Sequence, residues 1–388
     1  MTAGREEEMS ELVSIGYCST YEYRELRSAV EVLLEPLGGI AAFVEPGERI
    51  LLKPNMLAAK VPEKAVTTHP AMVRVIADMV REAGGIVVVG DSPGIGSYQR
   101  VAERTGIAQA VRESGATLVP FDDTIELPGS GTFRRITVAR EYWEADKVIN
   151  LPKLKTHEMM TMTCAVKNLF GAVVGAEKAG WHLKAGASRE HFARLLLEIY
   201  LLKKPVLNIV DAVLAMEGDG PGSGDPLQLN ALIAGVNPVA VDLVVGRIAR
   251  IPSELLYVER EAEAMGLSGA CHGDVETVGK SVKIFTKRPF NLPAGIDVQF
   301  GLPGFLKKGL RHHLTARPVA DTKRCVLCGI CRDACPPGII TIKNSALSID
   351  AGRCIRCWCC RELCPHDAMK VQRGLLLRLV SALKRGQA

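Results

Sequence analysis

Two stretches near the C-terminus repeat one spacing of cysteines, and that spacing restricts the chain more than any other feature. CVLCGICRDACP sets thiols at Cys325, Cys328, Cys331 and Cys335 ahead of Pro336, and CIRCWCCRELCP sets them at Cys354, Cys357, Cys360 and Cys364 ahead of Pro365. Two-residue gaps let a short turning backbone aim three thiolates at one cubane, while the fourth cysteine, opening a helix, points at another. The expected ligand sets are therefore Cys325, Cys328, Cys331 and Cys364 for one 4Fe–4S cluster, and Cys354, Cys357, Cys360 and Cys335 for a second. Zinc prefers two pairs of ligands closing a tetrahedron, which two interleaved sets followed by proline fit poorly. Cys359 sits between two ligands in CWCC and reads as a spare thiol or as a side chain packed beside Trp358.

In this spacing the segment resembles bacterial two-cluster ferredoxins. Between the runs, GIITIKNSALSIDAGR alternates apolar and polar residues around Asn344 and Ser345, which predicts a hairpin. Two cubanes in such a module exchange single electrons, with potentials set by hydrogen bonds to sulfur, local charge and exposure.

The remaining composition narrows the setting. Of twelve cysteines, eight fall at the repeated spacing of the two runs, and the N-terminal MTAGREEEMSELVSIG carries acids where an export signal needs a basic and then an apolar segment. Metal thiolates in a cytoplasmic protein are expected rather than disulfides. A net charge of +5 spread over 388 residues, with no aromatic-interleaved basic face, argues against nucleic acid as a partner. A redox partner protein or low-potential electron donor is the expected partner.

Ahead of the cysteines, apolar runs alternate with amphipathic segments. RILLKP, GIVVVGD, KVINLPK, VLNIVDAV and NALIAG read as strands; RELRSAVEVLLEPLG, HPAMVRVIADMVREAG, RVAERTGIAQAVRESG and Glu190 to Leu202 read as helices. The pattern predicts an α/β protein: a large doubly wound, mainly parallel sheet region over 1–286, then a linker over 287–318. A small α+β two-cluster domain over 319–370 and a basic amphipathic helix over 371–388 complete the expected order. That last helix packs on protein by default, with a membrane surface as the alternative.

Ligands of open α/β sheets sit beyond the carboxyl ends of strands, so the polar residues there are the candidate site. LLKPNML brings Lys53 and Asn55. GDSPGIGS brings Asp91, Ser92 and Gly94, and matches no nucleotide-binding loop because Pro93 occupies the turn. NLPKLKTHEMMTMTCAVKNLFG crowds Lys153, Lys155, His157, Lys167 and Asn168 among apolar residues, a density of cations that is costly without anions. The lysines are candidates for holding an anionic substrate; His157 is a candidate proton donor, metal ligand or structural histidine. DAVLAMEGDGPGSGDP adds Asp211 and Asp219 among glycines and is expected to face the cations.

LLKPN, TTHP, GDSPG, NLPKLKTH, AVKNLFG, DAVLAMEGDGP and NPVAVD, followed by the two cysteine runs, together resemble the domain of unknown function 362 family over nearly the whole chain. The resemblance implies an iron–sulfur protein with an α/β domain and supplies no substrate. The expectation formed here is a relay of single electrons to or from an α/β pocket, with reduction of a small anion as the reaction. An electron carrier or a cofactor-maturation factor is the alternative.

Overall fold

The computed structural model describes residues 10–94, 96–175, 177–186, 188–285, 287–293 and 316–372. Strands β1 (Glu11–Tyr17), β2 (Arg49–Pro54), β3 (Ile86–Val89) and β4 (Thr117–Leu118) are followed by a separate hairpin of β5 (Thr124–Pro128) and β6 (Arg135–Ala139). Next come β7 (Lys147–Leu151), β8 (Lys153–His157), β9 (Thr161–Thr163), β10 (Leu207–Glu217), β11 (Asp225–Gly235) and β12 (Val275–Gly279). All but the hairpin join one 10-stranded sheet in the order β12-β1-β11-β10-β7-β2-β3-β4, with β8 beside β10 and β9 beside β8. Parallel pairing runs from β4 through β3, β2 and β7 to β10, and β11 enters antiparallel between β10 and β1.

Successive side chains of a strand face opposite sides, so a continuous apolar run must be covered on both. Ile50 and Leu52 of β2, with Val87 and Val89 of β3, pack on Leu26, Val30 and Leu33 of α1 (Tyr23–Leu34) and on Met72, Val73 and Ile76 of α2 (Pro70–Glu82). Leu51, Val88 and Val148 face the other way, into a core with Val166, Leu169, Phe192 and Leu195. Each such fully buried aliphatic side chain contributes about 1.5–3 kcal/mol. The fold is α/β with helices on both faces of a mainly parallel sheet.

The helix expected over 100–115 is two helices, α3 (Tyr98–Arg104) and α4 (Ile107–Ser114). Gly106 between them stands at φ 78°, and the Thr105 hydroxyl donates back to Val101 and Ala102 carbonyls at 2.8 and 3.2 Å, so the ladder stops there.

In the C-terminal region β13 (Arg317–Ala320) pairs with β16 (Met369–Gln372), and β14 (Ile340–Lys343) with β15 (Ala346–Ile349). Asn344 and Ser345 at φ 50° and 57° form the expected turn, both in the left-handed region that a two-residue hairpin loop demands. Pairing of Arg317 with Gln372 and of Pro318 with Val371 carries this unit slightly beyond 319–370 at both ends. The linker starts later than 287, because Arg288 donates to Glu217 at 2.7 Å and Phe290 is buried in the large core. The rest of the expected linker, 294–315, and of the terminal helix, 373–388, lies outside the described residues. Among the described residues, no helix is long and apolar enough to cross a membrane.

Candidate functional site

Pro152 divides one strand path in two: β10 pairs first with β7 and then with β8, which sets Asp211 beside Lys153 and Met216 beside Lys155. β9 folds back antiparallel and brings Thr163 next to Lys155. All five residues of β8 are buried, Lys153 at 0% and Lys155 at 1% exposure. A charge buried that deeply needs a partner, so what each ammonium faces decides its role.

Lys153 faces structure. Its Nζ donates to Asp211 Oδ2 at 2.8 Å and to the Tyr21 hydroxyl at 3.0 Å. Asp211 also accepts from the Tyr21 hydroxyl at 2.6 Å and from the His69 backbone N–H at 2.9 Å. Lys153 and Asp211 are thus spent on one another, and neither borders the cavity described below. Lys53 pairs likewise with Asp91 at 2.8 Å. Gly171 is required beside that pair, since a Cβ there would collide with both Asp91 Oδ1 and Lys53 Nζ.

Lys155 faces open space. Its Nζ donates to Asn55 Oδ1 at 2.9 Å and to the Val66 carbonyl at 2.6 Å. Asn55 donates to Asn168, Asn168 to Asn150 and Asn150 to Asn208, at 2.9, 2.8 and 2.9 Å. This row of amides, each oriented by the next, ties the ammonium to the sheet interior.

A cavity of about 270 Å³ opens beside it, lined by Asn55, Asp91, Ser92, Gly94 and Asn168 among polar groups, and by Leu57, Phe170, Pro221 and Leu363 among apolar ones. Lys155, Lys167, Lys178 and His182 also line it. Burial lowers Lys155 to about 7, helped by the neighbouring Lys167 charge, and lowers Lys178 to about 7 as well. Of the expected pocket residues, the structure brings together Lys155, Lys167, Asp91, Ser92, Gly94 and Asn168. Lys178 and His182 were missed; their one sequence signal is a spacing of four that puts them on one face of helix Glu177–Ala185.

The other wall comes from the cysteine module: Asp333, Ala334, Cys359, Glu362 and Leu363. Glu362 lies 2.8 Å from His157 Nε2. His157 Nδ1 accepts from the backbone N–H groups of Met159 and Met160 at 3.0 and 3.2 Å, so the ring proton sits on Nε2, the nitrogen beside the carboxylate. Burial pushes His157 down to about 4, while His157 and Lys167 outweigh burial and hold Glu362 well below the usual carboxylate range. His157 therefore stands behind Glu362 as its support and is not on the cavity wall, against the expectation of a proton donor there.

Asp219, expected in the pocket, docks the module instead. It meets Arg361 Nη2 at 2.9 Å, and Arg361 also pairs with the buried Glu158. Ser223 donates to Asp367 at 2.6 Å, and Trp358 is buried in the core of the large lobe. The acidic glycine loop is thus a seat for the module, and Glu217 within it is taken by Arg288.

The thiols fall into two groups. Cys331 has Cys364, Cys325 and Cys328 as neighbouring sulfurs; Cys360 has Cys357, Cys354 and Cys335 and, more weakly, Cys331. Ile339, Ile340, Leu347 and Met369 surround them. Burial raises the Cys331, Cys335, Cys354 and Cys360 thiols, a cost that iron ligation relieves by binding the thiolate form. The donor set and its apolar surround fit iron–sulfur ligation. Cys354, Cys357 and Cys360 are buried, whereas Cys328 is exposed and Cys325 partly so.

A doubly wound α/β lobe carrying a cysteine module of this kind defines an iron–sulfur protein. Residues 50–247 match the family described as domain of unknown function (DUF362), and 318–341 match the 4Fe-4S binding domain. Thylakoid-associated protein sll1697 of Synechocystis sp. is 36% identical over 305 residues, covering 78% of this chain and 95% of that protein. The chain belongs to the DUF362 family, with an iron–sulfur electron-transfer domain at its C-terminal end. Among solved structures, the lactate racemase apoprotein from Thermoanaerobacterium thermosaccharolyticum aligns at a TM-score of 0.41 and 10% identity, over 62% of this chain and 57% of that one. That likeness is too loose to carry functional meaning.

The buried imidazoles give a pH signature. Burial lowers His69 to about 4 and His182 to about 3, whereas unfolded histidine titrates near 6.5. Below about pH 6.5 the unfolded chain takes up protons that the folded one refuses, so stability is complete above that pH and falls as pH drops toward 4. These two sites contribute a slope of at most about 2.7 kcal/mol per pH unit, to which the buried His157 adds. Anaerobic urea midpoints at pH 7.5 and 5.5 measure it, and the double variant His69→Gln, His182→Gln is expected to flatten the difference.

Proposed function

We propose that this protein is an iron–sulfur oxidoreductase whose module relays single electrons between a low-potential donor protein and a small anion held in the cavity. The observation that carries this reading is the shared wall: Cys359, Glu362 and Leu363, from inside the second cysteine run, border the same space as Lys155, Lys167 and Lys178. Cys354, Cys357, Cys360 and Cys335 would hold a 4Fe–4S cluster on that side, and Cys325, Cys328, Cys331 and Cys364 a second one on the outer side. When bound, each supplies a one-electron step.

The chain's own residues do the rest. The exposed Cys328, with Val326 at 60% exposure beside it, offers an outer edge to the donor protein. Lys155, Lys167 and Lys178 orient the anion and neutralise the negative charge that reduction adds. The buried Trp358 and Arg361 and the partly buried Glu362 hold the inner edge of the module against the cavity. A carrier with no ligand of its own would have little use for three lysines around one cavity. The cytoplasm is the proposed compartment, and the thylakoid association of the relative extends the proposal to contact with a membrane surface.

Anaerobic iron and sulfide analysis with electron paramagnetic resonance of the dithionite-reduced protein tests the relay. About eight irons and eight sulfides per chain, with spin-coupled signals, are expected. Stoichiometric zinc without labile sulfide after reconstitution removes it.

A further inference from the structure

Three buried lysines of the sheet have different partners. Lys153 on β8 and Lys53 on β2 each meet a buried aspartate at 2.8 Å. Lys155 is equally buried, at 1% exposure, yet among the described residues its Nζ donates only to neutral oxygens, Asn55 Oδ1 at 2.9 Å and the Val66 carbonyl at 2.6 Å. The amide row behind it fixes that arrangement. Asn208 donates to the Gly235 and Val236 carbonyls at 3.2 and 2.9 Å, so its own oxygen accepts from Asn150. Asn150 in turn accepts from Asn168, and Asn168 from Asn55, which leaves the Asn55 oxygen turned to Lys155. A buried amine without a counter-charge is driven toward its neutral form. Burial brings Lys155 to about 7, with Lys167 and Lys153 pushing the same way and Glu362 and Asp91 against them. A neutral amine has two hydrogens and one lone pair. Both hydrogens are taken by the two acceptors, so the lone pair is left for the cavity that Lys155 borders.

Resting on the functional reading above, we propose that Lys155 is a nucleophilic amine that forms an imine with the carbonyl of a small oxo acid, whose carboxylate Lys167 and Lys178 hold. The step is a condensation. A C–N bond forms at the carbonyl carbon, the C–O bond breaks, and both amine hydrogens leave with the oxygen as water. No electron is gained or lost, and hydrolysis reverses the step. Desolvation beside a second cation is one of the ways in which a lysine becomes a nucleophile, and Lys167 is that cation here. A volume of about 270 Å³ suits a compact metabolite, and Leu57, Phe170 and Leu363 offer apolar surface to its carbon chain. Lys178 meets these conditions less fully, being partly exposed on helix Glu177–Ala185 and turned to the Ser92 and Pro93 carbonyls.

The test is reductive trapping. The anaerobically reconstituted full chain is incubated at pH 7.5 with cyanoborohydride and pyruvate, 2-oxoglutarate or acetone, with Nα-acetyl-lysine amide as internal standard, and labelled peptides are read by mass spectrometry. With at least one oxo acid, Lys155 is expected to be labelled about 10-fold or more faster than the standard, because an ordinary lysine amine is only about 0.1% neutral at that pH. Acetone, a ketone without the charge, is expected to gain no such advantage. Asn55→Asp is expected to slow labelling about 10-fold or more, since an opposite charge at hydrogen-bond distance holds the amine protonated. Labelling no faster than the standard with both acids, fastest labelling at another lysine, an equal advantage for acetone, or a rate unmoved in folded Asn55→Asp overturns the proposal. Where that variant does not fold, the labelling of the unaltered chain decides. Trapping draws on no cluster, so a negative result leaves the relay standing. Trapped Lys155 in a protein without labile sulfide would remove the relay and keep the amine.

Discussion

Cys354→Ser is expected to cost the protein about half its iron and sulfide, about four of roughly eight of each, and to abolish electron delivery to the cavity. Cys325→Ser should cost a similar amount of metal and act at the other end, slowing reduction by the donor protein. The asymmetry follows from position. Cys354 is buried together with Cys357 and Cys360, in the run whose Trp358 enters the large core and whose Cys359 borders the cavity, whereas Cys325 belongs with the exposed Cys328 and Val326. Metal analysis with stopped-flow reduction and reoxidation separates the two effects. Equal effects of both substitutions on reduction and on reoxidation would mean that the two sites are not in series.

Asp211→Ala is expected to lower the free energy of unfolding by about 3–5 kcal/mol, the cost of leaving a buried charge without its partner. Lys153 and Asp211 are both 0% exposed, and the substitution strands the Lys153 ammonium, the Tyr21 hydroxyl and the His69 N–H together. Denaturant midpoints under anaerobic conditions measure the loss. Adding Lys153→Met to the same chain should recover part of it, because removing both charges is far cheaper than removing one. A loss below about 1 kcal/mol would mean that Lys153 sheds its proton when Asp211 is gone.

Local signals were read well where local physics decides the outcome. The apolar runs of β2, β3 and β7 form strands because burial on both faces requires continuous hydrophobicity, and the Asn344–Ser345 turn forms because both residues tolerate its backbone angles. Strand β1 and the edge strand β12 beside it escaped notice: their residues alternate less clearly, and what holds them is pairing of β1 with β11 and of the two with each other, which the local pattern does not report. The helix break at Gly106 was also passed over, because a continuous apolar period spans it even though the backbone does not.

Two lysines on one strand show where sequence reading ends. Lys153 and Lys155 are two residues apart and equally buried, so they share a face and a local pattern. One is neutralised by Asp211, 58 residues away. The other opens toward a cavity completed by Glu362, more than two hundred residues further on. By itself the sequence determined the alternation of strands and helices, the family, and the two groups of thiols, because each of these rests on spacing along a few neighbouring residues. The tertiary structure alone decided which cations are paired with a carboxylate and which border the cavity, that His157 stands beside a carboxylate, and that the acidic glycine loop seats the module. Those outcomes depend on which distant side chains share a buried volume, and the charge balance of such a volume is set only once the chain has closed around it.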